Sequence, residues 1–431
     1  AAMALNGEIK PLTLENMQRV LLRGPFAGRC NEEFLPSAPL NGVCFSAWEA
    51  FAENAAQEPL LDGHRYMPTG VEIACAKDAE GLHYGFGTSC RTEKARETRG
   101  LFLRQLMTEA VLAAHAAGAT DVSWRIALLE TARSQRQSYF TQMQTLAAQI
   151  SEDTGIPLTE NVPPVQWAEE SDAIHAYFLH DDQLHAQASF LTLDIGGNSA
   201  NLGLCSGTEG EHTAHFTVPM GMHTLLDGLR THPERLTEDF DRVLDHPQLV
   251  RDVRALAKEL AQTRDAGKGR LLLDLFLGGH LYPLSRHMNQ YYEQNRCTYT
   301  QACLLQGFAE LLTLLGAFRD HLGASADLPV CLAGRGALWL QRLSPELKEN
   351  LGAFLSAGNG APAPTLYMSA APKQEIVQGL LHLTHLHHDI PQEADITDAP
   401  TVSEAAFLAR FREALPQAAQ RLQTESAASP A

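Results

Sequence analysis

Apolar and polar positions along this chain change rhythm several times, and each change predicts an element. Residues 12–23 place Leu14, Met17, Val20 and Leu21 at helical spacing and end at Gly24-Pro25. Residues 71–76 and 82–86 are apolar runs joined by a polar, glycine-containing link, the pattern of a hairpin. Residues 93–118 then carry Leu101, Leu103, Leu106, Val111 and Leu112 on a long helix, with Gly118 as its C-cap. Alternation follows. A strand at 122–128, a helix at 134–152 stopped by Gly155-Ile156-Pro157, a short strand at 162–167 and a helix at 171–179 predict a mostly parallel sheet with helices on its faces.

The second half repeats the rhythm. Residues 191–204 read as two apolar strands broken at Gly196-Gly197, a third short strand covers 214–218, and a helix runs from 221 to 229. Residues 233–264 are helical and charged along one side, as a projecting insertion would be, with a break at His246-Pro247. A strand at 270–277 ends in Gly278-Gly279, and helices follow at 280–292 and 298–322. The short apolar strand 330–333 turns through Gly334-Arg335-Gly336 into another helix. Residues 372–386 form a last helix of this run, with Lys373, Glu375 and Gln378 on a wet side and Ile376, Val377, Leu380 and Leu381 on a dry one. An acidic linker then leads to an amphipathic helix at 403–424, built on Phe407, Phe411, Leu415 and Leu422 and interrupted by Pro416.

Two like runs imply two lobes with a cleft between them, where ligands favour strand ends. The expected division is an N-terminal extension at 1–68, a first lobe at 69–188, a second lobe at 189–388 with a helical insertion around 233–264, and a linker plus terminal helix at 389–431. The length of 431 residues accommodates that many parts.

Composition narrows the partners. A net charge of −18 argues against non-specific binding to nucleic acid or anionic membranes, which need clustered Lys and Arg. No run of about 18 apolar residues marks a membrane segment. Eight cysteines are scattered without a Cys-x-x-Cys pair, so neither a disulfide scaffold nor a zinc site is indicated and a reducing cytoplasm is the expected location. Position 1 is not Met, and the chain is expected to be a piece of something longer.

The candidate chemistry sits in Asp194-Ile195-Gly196-Gly197-Asn198-Ser199. Adjacent glycines leave backbone N–H groups open to a phosphate. Asp194, ending a buried strand, can hold a hydrated Mg²⁺, which prefers oxygen ligands and keeps several waters. An ordinary tight hairpin would show the same glycines. The His382, His385, His387, His388 run has no carboxylate or Cys at matching spacing and reads poorly as a metal site. Trp124 and Trp167, in or beside strands, read as core.

Four strings in order resemble the motifs of the superfamily shared by actin, sugar kinases and heat-shock chaperone ATPases. Asp194 to Ser199 resembles its second phosphate motif, and Val330 to Ala337, with Gly334, Arg335 and Gly336 at the turn, resembles its adenosine motif. Glu170 to Tyr177 and Gln374 to Leu380 resemble its two connecting helices. The resemblance implies an α/β fold of duplicated ribonuclease-H-like lobes around a central cleft, with helical insertions. It implies ATP and Mg²⁺ as ligands, Asp194 ordering the metal's water shell, Glu170 positioning an attacking water, and Gly278-Gly279 turning near the nucleotide. It further implies a nucleotide-driven lobe switch read by a protein partner or by self-assembly. The family's first phosphate motif, Asp-x-Gly-Thr, has no good copy: Tyr84 to Ser89 carries Gly85 where the carboxylate belongs. The first strand is therefore expected upstream of Ala1. A nucleotide-free assembly module and a small-molecule kinase of the same fold are the alternatives.

Overall fold

The computed structural model describes residues 2–5, 8–11, 71–78, 81–88, 114–128, 133–180, 189–197, 199–206, 212–218, 220–222, 227–241, 299–343, 351–356, 364–370 and 374–390, together with isolated positions in 103–112, 254–262, 348, 372 and 412–420. The expectations for the helices at 12–23 and 280–292, the strand at 270–277, and most of the insertion at 233–264 and the terminal helix lie outside the described residues.

The chain divides into two compact units, one made of Ala1–Cys75, Leu82–Ala173 and Ile376–Gln392, the other of Ala76–Gly81, Ile174–Glu375 and Glu393–Ala431. In unit 1, strands β1 (Ala2–Leu5) and β2 (Glu8–Pro11) pair antiparallel. Strands β3 (Val71–Asp78) and β4 (Gly81–Thr88) form a separate two-stranded sheet.

The best-packed part of unit 1 is a strand–helix–strand unit. Strands β5 (Trp124–Leu128) and β6 (Val165–Glu169) are parallel, and the helix Arg133–Thr154 joins them, as parallel strands require a crossover. Phe140, Met143, Leu146, Ala147 and Ile150 recur every three or four residues, so one face of that helix is apolar. It packs with Ile126, Leu128, Val165 and Trp167. Gly155, at φ +70, ends the helix and donates its amide to Ser151. Trp167 is core as expected, while Trp124 is half-buried against the same cluster.

Unit 1 also holds the segment that follows the helix Glu375–His382. Arg125 Nη1 donates to the carbonyls of Leu380, Leu381 and Leu383 at 2.9, 3.1 and 3.1 Å. These are carbonyls that a helix end leaves without intrahelical partners, and a cation there also meets the negative end of the helix dipole. Trp167 exchanges both backbone hydrogen bonds with His387, stacks near its ring at 4.7 Å, and donates its indole N–H to the Asp389 carbonyl. His387 therefore serves packing and backbone pairing.

Unit 2 is a five-stranded sheet in the order β11-β10-β7-β8-β9. Strands β7 (Ser189–Ile195), β8 (Ala200–Ser206) and β9 (His212–Val218) form an antiparallel meander. Strand β10 (Val330–Ala333) lies parallel to β7 on its other edge, and β11 (Leu366–Met368) lies parallel to β10. Numbered within the unit this is 3-2-1-4-5. The protein is mixed α/β; the described strands of unit 1 do not assemble into a second sheet of this kind.

Strand β7 is central, and Phe190, Leu191, Leu193 and Ile195 are fully buried on both its faces, which is why it reads as a continuous apolar run. The helix Tyr299–His321 is apolar almost all round and mostly buried, packing against the short helical turn Gly352–Ser356 and the sheet. By length and composition it is apolar enough to cross a membrane, although its surface is spent on the core. Cys205 and Cys331 are buried free thiols in the sheet, and Cys303 is a half-buried one.

Candidate functional site

Parallel strands β7 and β10 end side by side, with Ala333 paired to Asp194. Their carboxyl ends bring Asp194 to the turn that begins at Gly334, although the two are far apart in sequence. Gly334 adopts φ +77, in the left-handed region. A Cβ there would collide with the Asp194 Oδ1 atom and come within 2.7 Å of the Ile195 carbonyl oxygen. Gly336, two residues on, is pressed against Ile195 in the same way, its Cβ position lying 2.7 Å from that carbonyl oxygen. The two glycines are thus required by the close approach of the protein's own β7 strand.

The hairpin between β7 and β8 is closed by the Gly196 amide donating to the Ser199 carbonyl at 2.9 Å. Gly196 and Gly197 are half-exposed, as is Asp194, whereas Ser199 is buried. One side of this turn is covered by a segment whose role sequence reasoning missed. Gly221 sits so close that a Cβ would meet the Ser199 amide nitrogen at 2.6 Å and the Gly196 oxygen at 2.7 Å. The Met222 amide donates to that same Gly196 oxygen at 2.9 Å. Trp339 then donates its indole N–H to the Met222 sulfur at 2.8 Å, a weak acceptor. Asp194, Ile195, Gly196, Ser199, Gly221, Met222, Gly334, Gly336 and Trp339 therefore interlock, with Gly196 and Gly197 half-exposed at the turn.

A second missed residue is Glu375. Its helical position predicts a solvated side chain, but it is only 2 % exposed. The reason is a backbone partner: the Gly334 amide donates to Glu375 Oε1 at 3.1 Å. Burying a carboxylate is costly unless it is hydrogen-bonded, and periodicity cannot reveal a backbone donor on another element. The helix itself is shorter than expected, Glu375–His382.

Beneath the site, His175 is fully buried, with its Nε2 3.2 Å from the Thr192 hydroxyl on β7 and its ring edge-on to Phe190. Burial, reinforced by the charge of His215, pushes its pKa down to about 3, so it is neutral at ordinary pH.

Of the expected site residues, Asp194, Gly196, Gly197, Ser199, Gly334 and Gly336 come together in unit 2. Glu170 opens the helix Glu170–Leu179 and belongs to unit 1. Asn198, Gly278, Gly279 and the side chain of Arg335 lie outside the described residues. Both helices expected to connect the lobes are places where the chain passes between units, at Ala173/Ile174 and at Glu375/Ile376.

No family model matches the chain, and no curated protein does. Solved structures similar to it include three from different bacteria. The ethanolamine utilization protein EutJ from Carboxydothermus hydrogenoformans aligns at 11% identity and TM-score 0.37, covering 74% of this chain and 91% of that one. MreB5 of Spiroplasma citri, solved bound to ADP, aligns at 11% and 0.33 over 70% and 79%. A protein described as an N-acetylglucosamine kinase from Porphyromonas gingivalis aligns at 13% and 0.39 over 71% and 92%.

Proposed function

We infer that unit 2 is the nucleotide-binding lobe of an actin-like ATP-binding protein. What supports the reading is one observation: the carboxylate of Asp194 and the Gly334 turn, which sequence assigns to separate phosphate and adenosine motifs, meet at the carboxyl ends of adjacent parallel strands. The half-exposed Asp194 suits a hydrated Mg²⁺, since it offers carboxylate oxygen without being sealed from water. The open face of the Gly196–Gly197 turn would receive phosphate, and the turn from Gly334 to Gly336 would lie against the nucleoside. Bound Mg²⁺ would supply charge neutralisation for phosphoryl chemistry. Glu170 is the candidate to order a water, a cytoplasmic ATPase cycle is the corresponding activity, and the lobe switch is its output.

A specific observation favours a second reading, a nucleotide-free assembly module. Gly221, Gly334 and Gly336 are all needed by packing within the protein itself, so their presence does not require a ligand.

Isothermal titration of ADP and ATP with Mg²⁺, on this chain and on one extended upstream, separates the two. The first reading expects binding that weakens about tenfold or more in Asp194→Asn, equal to ~1.4 kcal/mol. Absence of binding by either chain at millimolar nucleotide would leave the assembly module.

A further inference from the structure

We propose that Glu375 is a positioning residue that holds the Gly334 turn in its binding conformation; its bearing on ligand affinity rests on the nucleotide-binding reading above. Gly334 is gripped from two directions. The carboxylate of Asp194 lies against its α-carbon, and the carboxylate of Glu375 accepts its amide at 3.1 Å. Both Gly334 and Glu375 are buried, so the amide proton has no solvent to turn to if Glu375 is removed.

The left-handed φ of +77 at Gly334 is one of several backbone conformations open to glycine. A glycine at a strand-to-helix turn therefore needs something besides its own sterics to select one. Glu375 supplies it with a buried hydrogen bond, its Oε1 accepting the Gly334 amide. Holding Gly334 also holds what touches it: the Asp194 carboxylate and the Ile195 carbonyl, both in contact range of the glycine. Glu375 reaches the candidate site through the Gly334 amide. Its own side chain is sealed in, so a direct contact with nucleotide forms no part of the proposal.

Glu375 is also the first residue of the helix Glu375–His382 and the last of its stretch assigned to unit 2. The glycine turn is thus tied to the start of that helix.

The test uses the whole chain as wild type, Glu375→Ala and Glu375→Gln, read by amide exchange of the peptide containing Gly334 and by ADP titration with Mg²⁺. Circular dichroism and the exchange of β7 establish that each variant is folded. Without ligand, Glu375→Ala is expected to exchange Gly334 about tenfold faster or more, with β7 unchanged. Glu375→Gln, which keeps an acceptor oxygen, is expected to recover most of that protection. Equal protection of Gly334 in all three proteins overturns the proposal. With ADP, Glu375→Ala is expected to bind about tenfold more weakly and Glu375→Gln within about threefold of wild type. Wild-type affinity in a folded Glu375→Ala also overturns it. A wild type that binds no nucleotide defeats the nucleotide-binding reading instead, and the exchange of Gly334 without ligand still decides whether Glu375 positions the turn.

Discussion

Replacing Gly334 with Ala tests the geometry at the ends of β7 and β10 directly. The new methyl group meets two separate penalties. A left-handed backbone costs a residue with a Cβ roughly 1–2 kcal/mol. The methyl would also collide with the Asp194 carboxylate and stand 2.7 Å from the oxygen and 3.0 Å from the carbon of the Ile195 carbonyl. The carboxylate can rotate away, but the backbone of a central strand cannot, and overpacking of that kind costs about 1–3 kcal/mol. Together the loss is about 2–5 kcal/mol, a large share of the ~5–15 kcal/mol that typically holds a domain folded. Gly323 provides the control, because it has φ +67 but nothing within 4 Å of its Cβ position. Gly323→Ala should therefore show the backbone penalty alone, about 1–2 kcal/mol. Urea unfolding followed by tryptophan fluorescence compares the two, with β7 amide exchange confirming that the loss lies in unit 2. If Gly334→Ala costs no more than Gly323→Ala, the close approach of the two strand ends is wrong and the candidate site with it.

Two further predictions follow from other contacts. His175 in the folded protein titrates near 3, well below the ordinary value of 6.5. As pH falls below about 6.5 the unfolded chain takes up a proton that the folded chain refuses, so this group's contribution is full above 6.5 and is lost towards pH 3. His175→Gln should lower stability at pH 7.5 yet flatten its decline between pH 6.5 and 4.5; an unchanged acid slope in urea unfolding refutes the assignment. Arg125→Met removes the donor to three carbonyls at the end of the helix Glu375–His382. It should cost about 1.5–3 kcal/mol, as charged hydrogen bonds do. Amide exchange within 380–387 should rise while β7 stays protected.

What was legible in the sequence follows a physical division. Strand β10 was read with its observed bounds because four apolar residues run straight into a glycine turn. The β7–β8 hairpin was equally plain, since Leu191, Leu193 and Ile195 precede a glycine pair. Strand β11 escaped notice: Leu366–Met368 is only three residues long and owes its existence to pairing with β10, a partner no local pattern records. Glu375 was misread for a related reason. Its helical position suggested solvent, and only the folded chain brings the Gly334 amide to it. Gly221 reads as a helix start, and Met222 is helical; that Gly221 also lies on the Gly196–Ser199 turn no local pattern records. Motifs on single elements could be found from spacing. Residues that join one element to another could not.

The order of the sheet in unit 2 also sets an order in time. Strands β7, β8 and β9 follow one another closely, so their meander can form from local contacts. Strand β10 must come from far along the chain, beyond the long helix Tyr299–His321, to pair with β7. Closing so large a loop delays pairing, as non-local contacts generally do. The meeting of Asp194 with Gly334 is therefore completed late. A newly made chain would carry the hairpin well before it carries the site, and until β10 docks, one edge of β7 stays open to pairing with other chains.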